Sequence, residues 1–154
     1  MRDKKINQLF IVGGDGTHRG IAALKEEIEK LGIRISVCGI PKTIDNDIPF
    51  IDDSFGFVTA CEEAEKFIDA ANVEAEAAEN GIGIVRVMGR YCGYIAVSSA
   101  MASRSVNICL IPEVHFQLEG ANGLYETIMK WLAKKGHIVI VIAEGAFDGL
   151  VDED

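Results

Sequence analysis

Short apolar runs alternate with longer amphipathic stretches along this chain. Leu9 to Val12 forms the first run, and Ile21, Leu24, Ile28 and Leu31 then mark one face of a helix that Gly32 is placed to end. Ile33 to Ile40 reads as a second strand. From about Phe57 to Glu79, the residues Val58, Cys61, Ala64, Ile68, Ala71, Ala75 and Ala78 form the stripe of a long helix. Its other side (Glu62, Glu63, Glu65, Glu74, Glu76) is expected to be solvated, and Asn80-Gly81 stops it. Ile82 to Val87 is the predicted third strand, Tyr91 to Ser103 a helix, and Asn107 to Ile111 the fourth strand. Leu124, Ile128, Trp131 and Leu132 mark a helix ended by Gly136. Ile138 to Ala143 is the fifth strand, a continuous apolar run of the kind found where both faces are covered. This alternation predicts an α/β chain with a doubly wound, mostly parallel, Rossmann-like sheet. Ala146 to Asp154 reads as an acidic tail, expected to fray.

In such a sheet ligands bind at the carboxyl ends of the strands, and four polar segments are expected there. The first is Gly13-Gly14-Asp15-Gly16-Thr17, a Gly-rich turn from strand into helix. Its glycines let backbone approach a ligand, Thr17 can cap the helix, and the helix start favours phosphate. Asp15 is placed to hold Mg²⁺ beside a phosphate. An ordinary strand-to-helix turn is the alternative. The second is Pro41 to Ser54, aperiodic and long for a connection, as functional loops often are. There Asp45 and Asp47 could divide the work of taking a hydroxyl proton and orienting it, with Lys42 offsetting phosphoryl charge; an Asx-turn loop would show the same composition. The third, Met88-Gly89-Arg90, offers a guanidinium to phosphate or sugar, or else only a surface charge. In the fourth, Glu144-Gly145, the carboxylate would accept sugar hydroxyls or stand in water. His18 and Arg19, in the first turn of the helix, could brush a phosphate but are read as solvated, Tyr91 and Tyr94 as packing residues; Pro112-Glu113, His115 and His137 suggest no chemistry.

Composition narrows the field. A chain of 154 residues, 49% of them hydrophobic, can bury a core, and it suits one domain. A net charge of −9 argues against nucleic acid or an anionic membrane as partner. No apolar run approaches membrane-spanning length. Cys38, Cys61, Cys92 and Cys109 are scattered, which predicts reduced, mostly buried thiols in a cytosol-like compartment.

Ile11-Val12-Gly13-Gly14-Asp15-Gly16-Thr17, then Gly39-Ile40-Pro41-Lys42-Thr43-Ile44-Asp45-Asn46-Asp47, then Val87-Met88-Gly89-Arg90-Tyr91-Cys92-Gly93 resemble the 6-phosphofructokinase family, most closely its plant-type ATP-dependent members. NAD kinases and diacylglycerol kinases share the first motif; the second followed by the third is specific. The resemblance implies transfer of the ATP γ-phosphate to the 1-hydroxyl of fructose 6-phosphate in glycolysis, with Mg²⁺. It makes Asp45 the base, puts Thr43 and Ile44 against the sugar phosphate, and gives Asp47 support of the metal or transition state. Asp15 matches the Mg²⁺ position, with Gly14, Gly16 and Thr17 along the nucleotide. Met88, Gly89, Arg90 and Glu144 match fructose 6-phosphate contacts. Gly16 favours ATP, because pyrophosphate-using relatives carry Asp there, whereas Lys42 is the residue of the pyrophosphate branch.

Family members are considerably longer. Residues 1–154 are therefore expected to form a single partial domain, without the N-terminal nucleotide-binding glycine loop and the C-terminal substrate-binding half. An arginine that bacterial members take from a neighbouring subunit falls at Gly81. The resemblance implies weak or no activity for this chain alone, and association with itself or with a longer homologue. It implies a cytoplasmic location, or a plastid one with a transit peptide. A noncatalytic regulatory or assembly subunit and a pyrophosphate-dependent enzyme are the alternatives.

Overall fold

The computed structural model describes residues 4–148. Among the described residues strands and helices alternate, apart from two strands in succession before residue 57, every strand pairing is parallel, and the chain divides at Phe57 into two compact units.

In the first unit, β1 (Gln8–Gly13), β2 (Ser36–Thr43) and the short β3 (Phe55–Gly56) form a sheet of order β1-β2-β3, with α1 (Asp15–Lys30) crossing between β1 and β2. The register runs from Gln8↔Ser36 to Gly13↔Pro41. Gly14 is the N-cap of α1, and no side chain bonds there. Thr17, expected as the cap, lies within the first turn instead. Its side chain covers Gly13 so closely that a Cβ at Gly13 would stand 2.3 Å from Thr17 Oγ1. The paired glycines let the chain pass from strand to helix earlier than the apolar period indicates. At the other end Gly32 takes φ 56° and the Ile33 N–H donates to Ile28 O at 3.1 Å, the left-handed close the sequence predicts.

The second strand is displaced from its expected span of Ile33 to Ile40. Ile35 N–H turns back to Ile33 O at 3.1 Å, so pairing starts at Ser36. It then continues through Pro41, Lys42 and Thr43, expected as loop. Pro41 lies opposite the last residue of β1, and β3 joins only at Lys42, so the missing proline N–H falls where the ladder ends or has yet to begin.

In the second unit, α2 (Phe57–Ala77) leads into a sheet of order β4-β6-β5, formed by β4 (Gly81–Val87), β5 (Ile108–Leu110) and β6 (His137–Ala143). The remaining helices are α3 (Tyr94–Ala102) and α4 (Leu124–Lys135). β6 is central, which is why its apolar run is continuous. Val139, Val141 and Ala143 pack with Ile68 and Ala96, from α2 and α3. Ile138 and Ile140 pack with Leu110 and with Leu124, Ile128, Trp131 and Leu132 of α4. The strands thus form two three-stranded parallel sheets, and in the second helices cover both faces. The expected helix start at Tyr91 moves to Tyr94, because residues 89–93 are taken up by a tight turn. Ala146 and Phe147, expected to fray, belong to a 3-10 turn (Glu144–Phe147) and pack on the Ile138 cluster, with the Phe147 and Phe116 rings 5.3 Å apart. Residues 149–154 of that tail lie outside the described residues. Cys92 is buried and Cys61 and Cys109 are half-buried, but Cys38, expected inside, is exposed. Among the described residues no helix is long and apolar enough to cross a membrane.

Candidate active site

Parallel pairing puts the ends of β1 and β2 side by side, and with them two of the sequence-predicted segments. Gly14 and Asp15 follow β1 directly; Thr43 ends β2, and Ile44, Asp45 and Asp47 follow. The two turns run close together: a Cβ added at Gly14 would reach ordinary van der Waals distance, 3.5 Å from Lys42 O and 3.9 Å from Thr43 Cβ. The acids at 15 and 45 therefore belong to one rim of one sheet.

The second loop is braced by Asn46. Its Nδ2 donates to Asp52 O at 2.9 Å and its Oδ1 accepts the Ser54 N–H at 2.8 Å, while Ser54 Oγ donates to Thr43 O at 2.5 Å. Asn46 takes φ 54°, a left-handed conformation that Asn tolerates better than most residues. The Asp45 N–H donates to Thr43 Oγ1 at 3.2 Å. The Asx-rich composition thus serves backbone bracing and leaves two carboxylates on a fixed frame, one half-buried at Asp45 and one exposed at Asp47. Both readings left open for this loop are compatible.

Asp15 opens α1 and forms an exposed ion pair with Arg19 at 2.7 Å. Among the described residues no cluster of three or more His, Cys, Asp or Glu could hold a metal. A lone accessible carboxylate does fit Mg²⁺, which commonly takes one or two carboxylates and fills its octahedron with water and phosphate oxygens. Gly16 and Thr17 continue the first turn, and a Cβ at Gly16 would meet nothing within 4 Å, so the space beside it is open.

His18, expected in solvent, is half-buried. Its ring packs on Gly39, where a Cβ would lie 2.7 Å away, and Nε2 is 3.1 Å from Gly13 O. Gly39 supplies the notch, and that pairing across elements is invisible in local sequence.

In the second unit the ends of β4 and β6 are adjacent, Val87 pairing with Ala143, which brings Met88, Gly89 and Arg90 beside Glu144. Gly89 takes φ 131°, with room for no side chain: a Cβ would lie 2.3 Å from Cys92 O. The Gly145 N–H donates to Gly89 O at 3.1 Å, and a Cβ at Gly145 would lie 1.8 Å from Arg90 O. Two glycines thus bring these turns to backbone contact. Arg90 is exposed, with Cζ 5.2 Å from the centre of the Tyr91 ring and Nε 4.0 Å from Asp148 Oδ2. Tyr91 and Tyr94 are exposed too, not packed as expected, because the turn over 89–93 carries them outward. An open cavity of about 320 Å³ is lined by Arg86, Val87, Met88 and Glu144.

Two further residues escaped sequence reading. Glu113 accepts the Gly93 N–H at 2.8 Å and so anchors the turn that carries Arg90; its place just beyond the end of β5 was the available signal. His137 Nε2 lies 3.5 Å from Glu76 Oε1, far along the chain.

The family described as phosphofructokinase matches residues 1–153. The chain is 58% identical over 153 residues to ATP-dependent 6-phosphofructokinase 1 of Arabidopsis thaliana, covering 99% of this chain and 32% of that protein. It is 50% identical over 147 residues to the ATP-dependent 6-phosphofructokinase of Borreliella burgdorferi, covering 92% and 33%. Among solved structures, a pyrophosphate-dependent phosphofructokinase from Marinobacter aquaeolei matches with a TM-score of 0.75 at 27% identity, over 94% of this chain and 38% of that one. The chain spans about a third of the length of the curated relatives it matches.

Proposed function

The chain belongs to the phosphofructokinase family, and on that footing we propose that it carries part of the machinery transferring the ATP γ-phosphate to the 1-hydroxyl of fructose 6-phosphate. The observation that carries this reading is the single rim formed by the ends of β1 and β2, where a glycine turn with one carboxylate meets a braced loop with two. Asp45 takes the proton of the attacking hydroxyl, and the hydrogen bond that its backbone N–H donates to Thr43 Oγ1 fixes where the residue starts. Asp47 supports the developing charge. Gly14, Gly16 and Thr17 line the nucleotide, and Thr43 and Ile44 lie against the sugar phosphate. Asp15 would hold Mg²⁺, exchanging Arg19 for the ion, and when bound the metal offsets charge on the transferring phosphoryl group. Met88, Gly89, Arg90 and Glu144 bind fructose 6-phosphate, Arg90 through phosphate or hydroxyl and Glu144 by accepting hydrogen bonds from sugar hydroxyls.

Open space beside Gly16 favours ATP as donor, because an aspartate there would project a negative charge where nucleotide phosphates lie. Lys42, exposed on β2, is the feature favouring pyrophosphate instead. We place the protein in the cytosol, as a homo-oligomer or associated with a longer homologue, and expect little turnover from this chain alone, since phosphoryl transfer depends on complete positioning.

The test is a chimera in which residues 1–153 replace the matching third of the A. thaliana enzyme, assayed for MgATP-dependent conversion of fructose 6-phosphate. Asp45→Asn should lower kcat by about 10²–10⁴-fold with little change in fructose 6-phosphate binding. Undiminished kcat removes Asp45 as the base, and turnover with pyrophosphate but not ATP transfers the assignment to the other donor.

A further inference from the structure

Resting on the sugar-phosphate reading of Glu144, we propose that Arg86 is a positioning residue that holds this carboxylate for the substrate hydroxyls. Alternation along β4 puts Ile82, Ile84, Arg86 and Met88 on one exposed face, so the guanidinium stands on the same side as Met88. Pairing of Arg86 with Ile142 and of Val87 with Ala143 brings it within reach of the residue that follows β6. Arg86 Nη2 lies 3.6 Å from Glu144 Oε1, and both side chains line the cavity of about 320 Å³.

The backbones behind the pair are fixed. Arg86 is in a paired strand, Ala143 is fully buried, and the Gly145 N–H is held by Gly89 O. What remains undetermined is the rotamer of the Glu144 side chain, and a guanidinium charged at every accessible pH is suited to set it. Engaging Oε1 leaves Oε2 to accept from a sugar hydroxyl. Arg86 thus acts through Glu144 rather than on the phosphate, because a cation already facing a carboxylate is a weakened anion site.

Titration of the chimera described above with fructose 6-phosphate tests the pairing in a double-mutant cycle. Glu144→Gln should weaken binding about tenfold and Arg86→Met about fivefold. The double variant should be no weaker than Glu144→Gln alone, and Arg86→Lys should keep most of the affinity. Losses that multiply, or an Arg86→Met variant that binds like the parent, overturn the proposal while leaving the sugar-phosphate reading intact. A parent chimera that ignores fructose 6-phosphate refutes that reading instead, and nitrogen NMR of the Arg86 side chain in the 154-residue chain then decides. Guanidinium rotation slowed in the parent and released in Glu144→Gln upholds the positioning contact; free rotation in both overturns it.

Discussion

Asn46 combines two roles in the loop over 44–54: it occupies a left-handed conformation, as Phe50 also does, and it ties both Asp52 and Ser54 to itself. Asn46→Ala should cost about 2–3 kcal/mol, from two net hydrogen bonds at roughly 1 kcal/mol each and a left-handed alanine. Asn46→Gly, which relieves only the backbone, should cost about 1 kcal/mol less; urea unfolding of the pair separates the two contributions. The glycines of α1 give a complementary contrast. Gly16 and Gly20 both have open space where a Cβ would go, so changing either to alanine should raise stability by about 0.5–1 kcal/mol. Only Gly16→Ala should also weaken MgATP binding, as calorimetry would show. At this scale the glycine and acidic positions were legible because their chemistry is carried by residue type. The bracing by Asn46 and the pinning of His18 were not, since each depends on a partner brought near only by folding.

Helix α4 shows how much an element's end can rest on one side chain. Gly123 is its N-cap without a side-chain bond, and Glu126 reaches back to the Asn122 N–H at 2.7 Å, with Lys130 at 3.0 Å on the other side. The Asn122 bond, and then Lys130, hold the Glu126 carboxyl below the usual glutamate range. A carboxyl with a lowered folded-state pKa stabilises the fold above its unfolded value, and that contribution is lost as pH falls through the folded value. Glu126→Gln should therefore lower Tm at pH 7 and leave it unchanged near pH 2, which a Tm series against pH checks. Helix positions were readable from the 3.6-residue period, and the stops at Gly32, Asn80 and Gly136 from residues that accept positive φ. Strand limits were less readable. Pro41 reads as a breaker, yet sits at a ladder position needing no donor. Nor does period separate one sheet of five strands from two of three: the two-residue β3 carries no pattern, and neighbour choice is made by helices docking from afar.

For the molecule as a whole, the uncovered apolar surface is the feature that matters. Phe10 and Val12 on the edge strand β1 are 62% and 57% exposed, and Ile84 on the edge strand β4 is 60% exposed. Edge strands with apolar faces are templates for association. Sedimentation velocity should show self-association rising with concentration, and Phe10→Lys or Ile84→Lys should each reduce it. A strictly monomeric chain across the micromolar range would count against the expected oligomer. The −9 net charge was legible at once and moderates this tendency without removing it.

At position 81 helix α2 and strand β4 meet main chain to main chain: a methyl group there would sit 2.1 Å from the Ala75 carbonyl oxygen. A side chain therefore cannot replace Gly81 unless that carbonyl moves. Any residue larger than glycine there would need the turn from Ala75 to Gly81 rebuilt around it, so the passage from helix to strand is set by one missing methyl group.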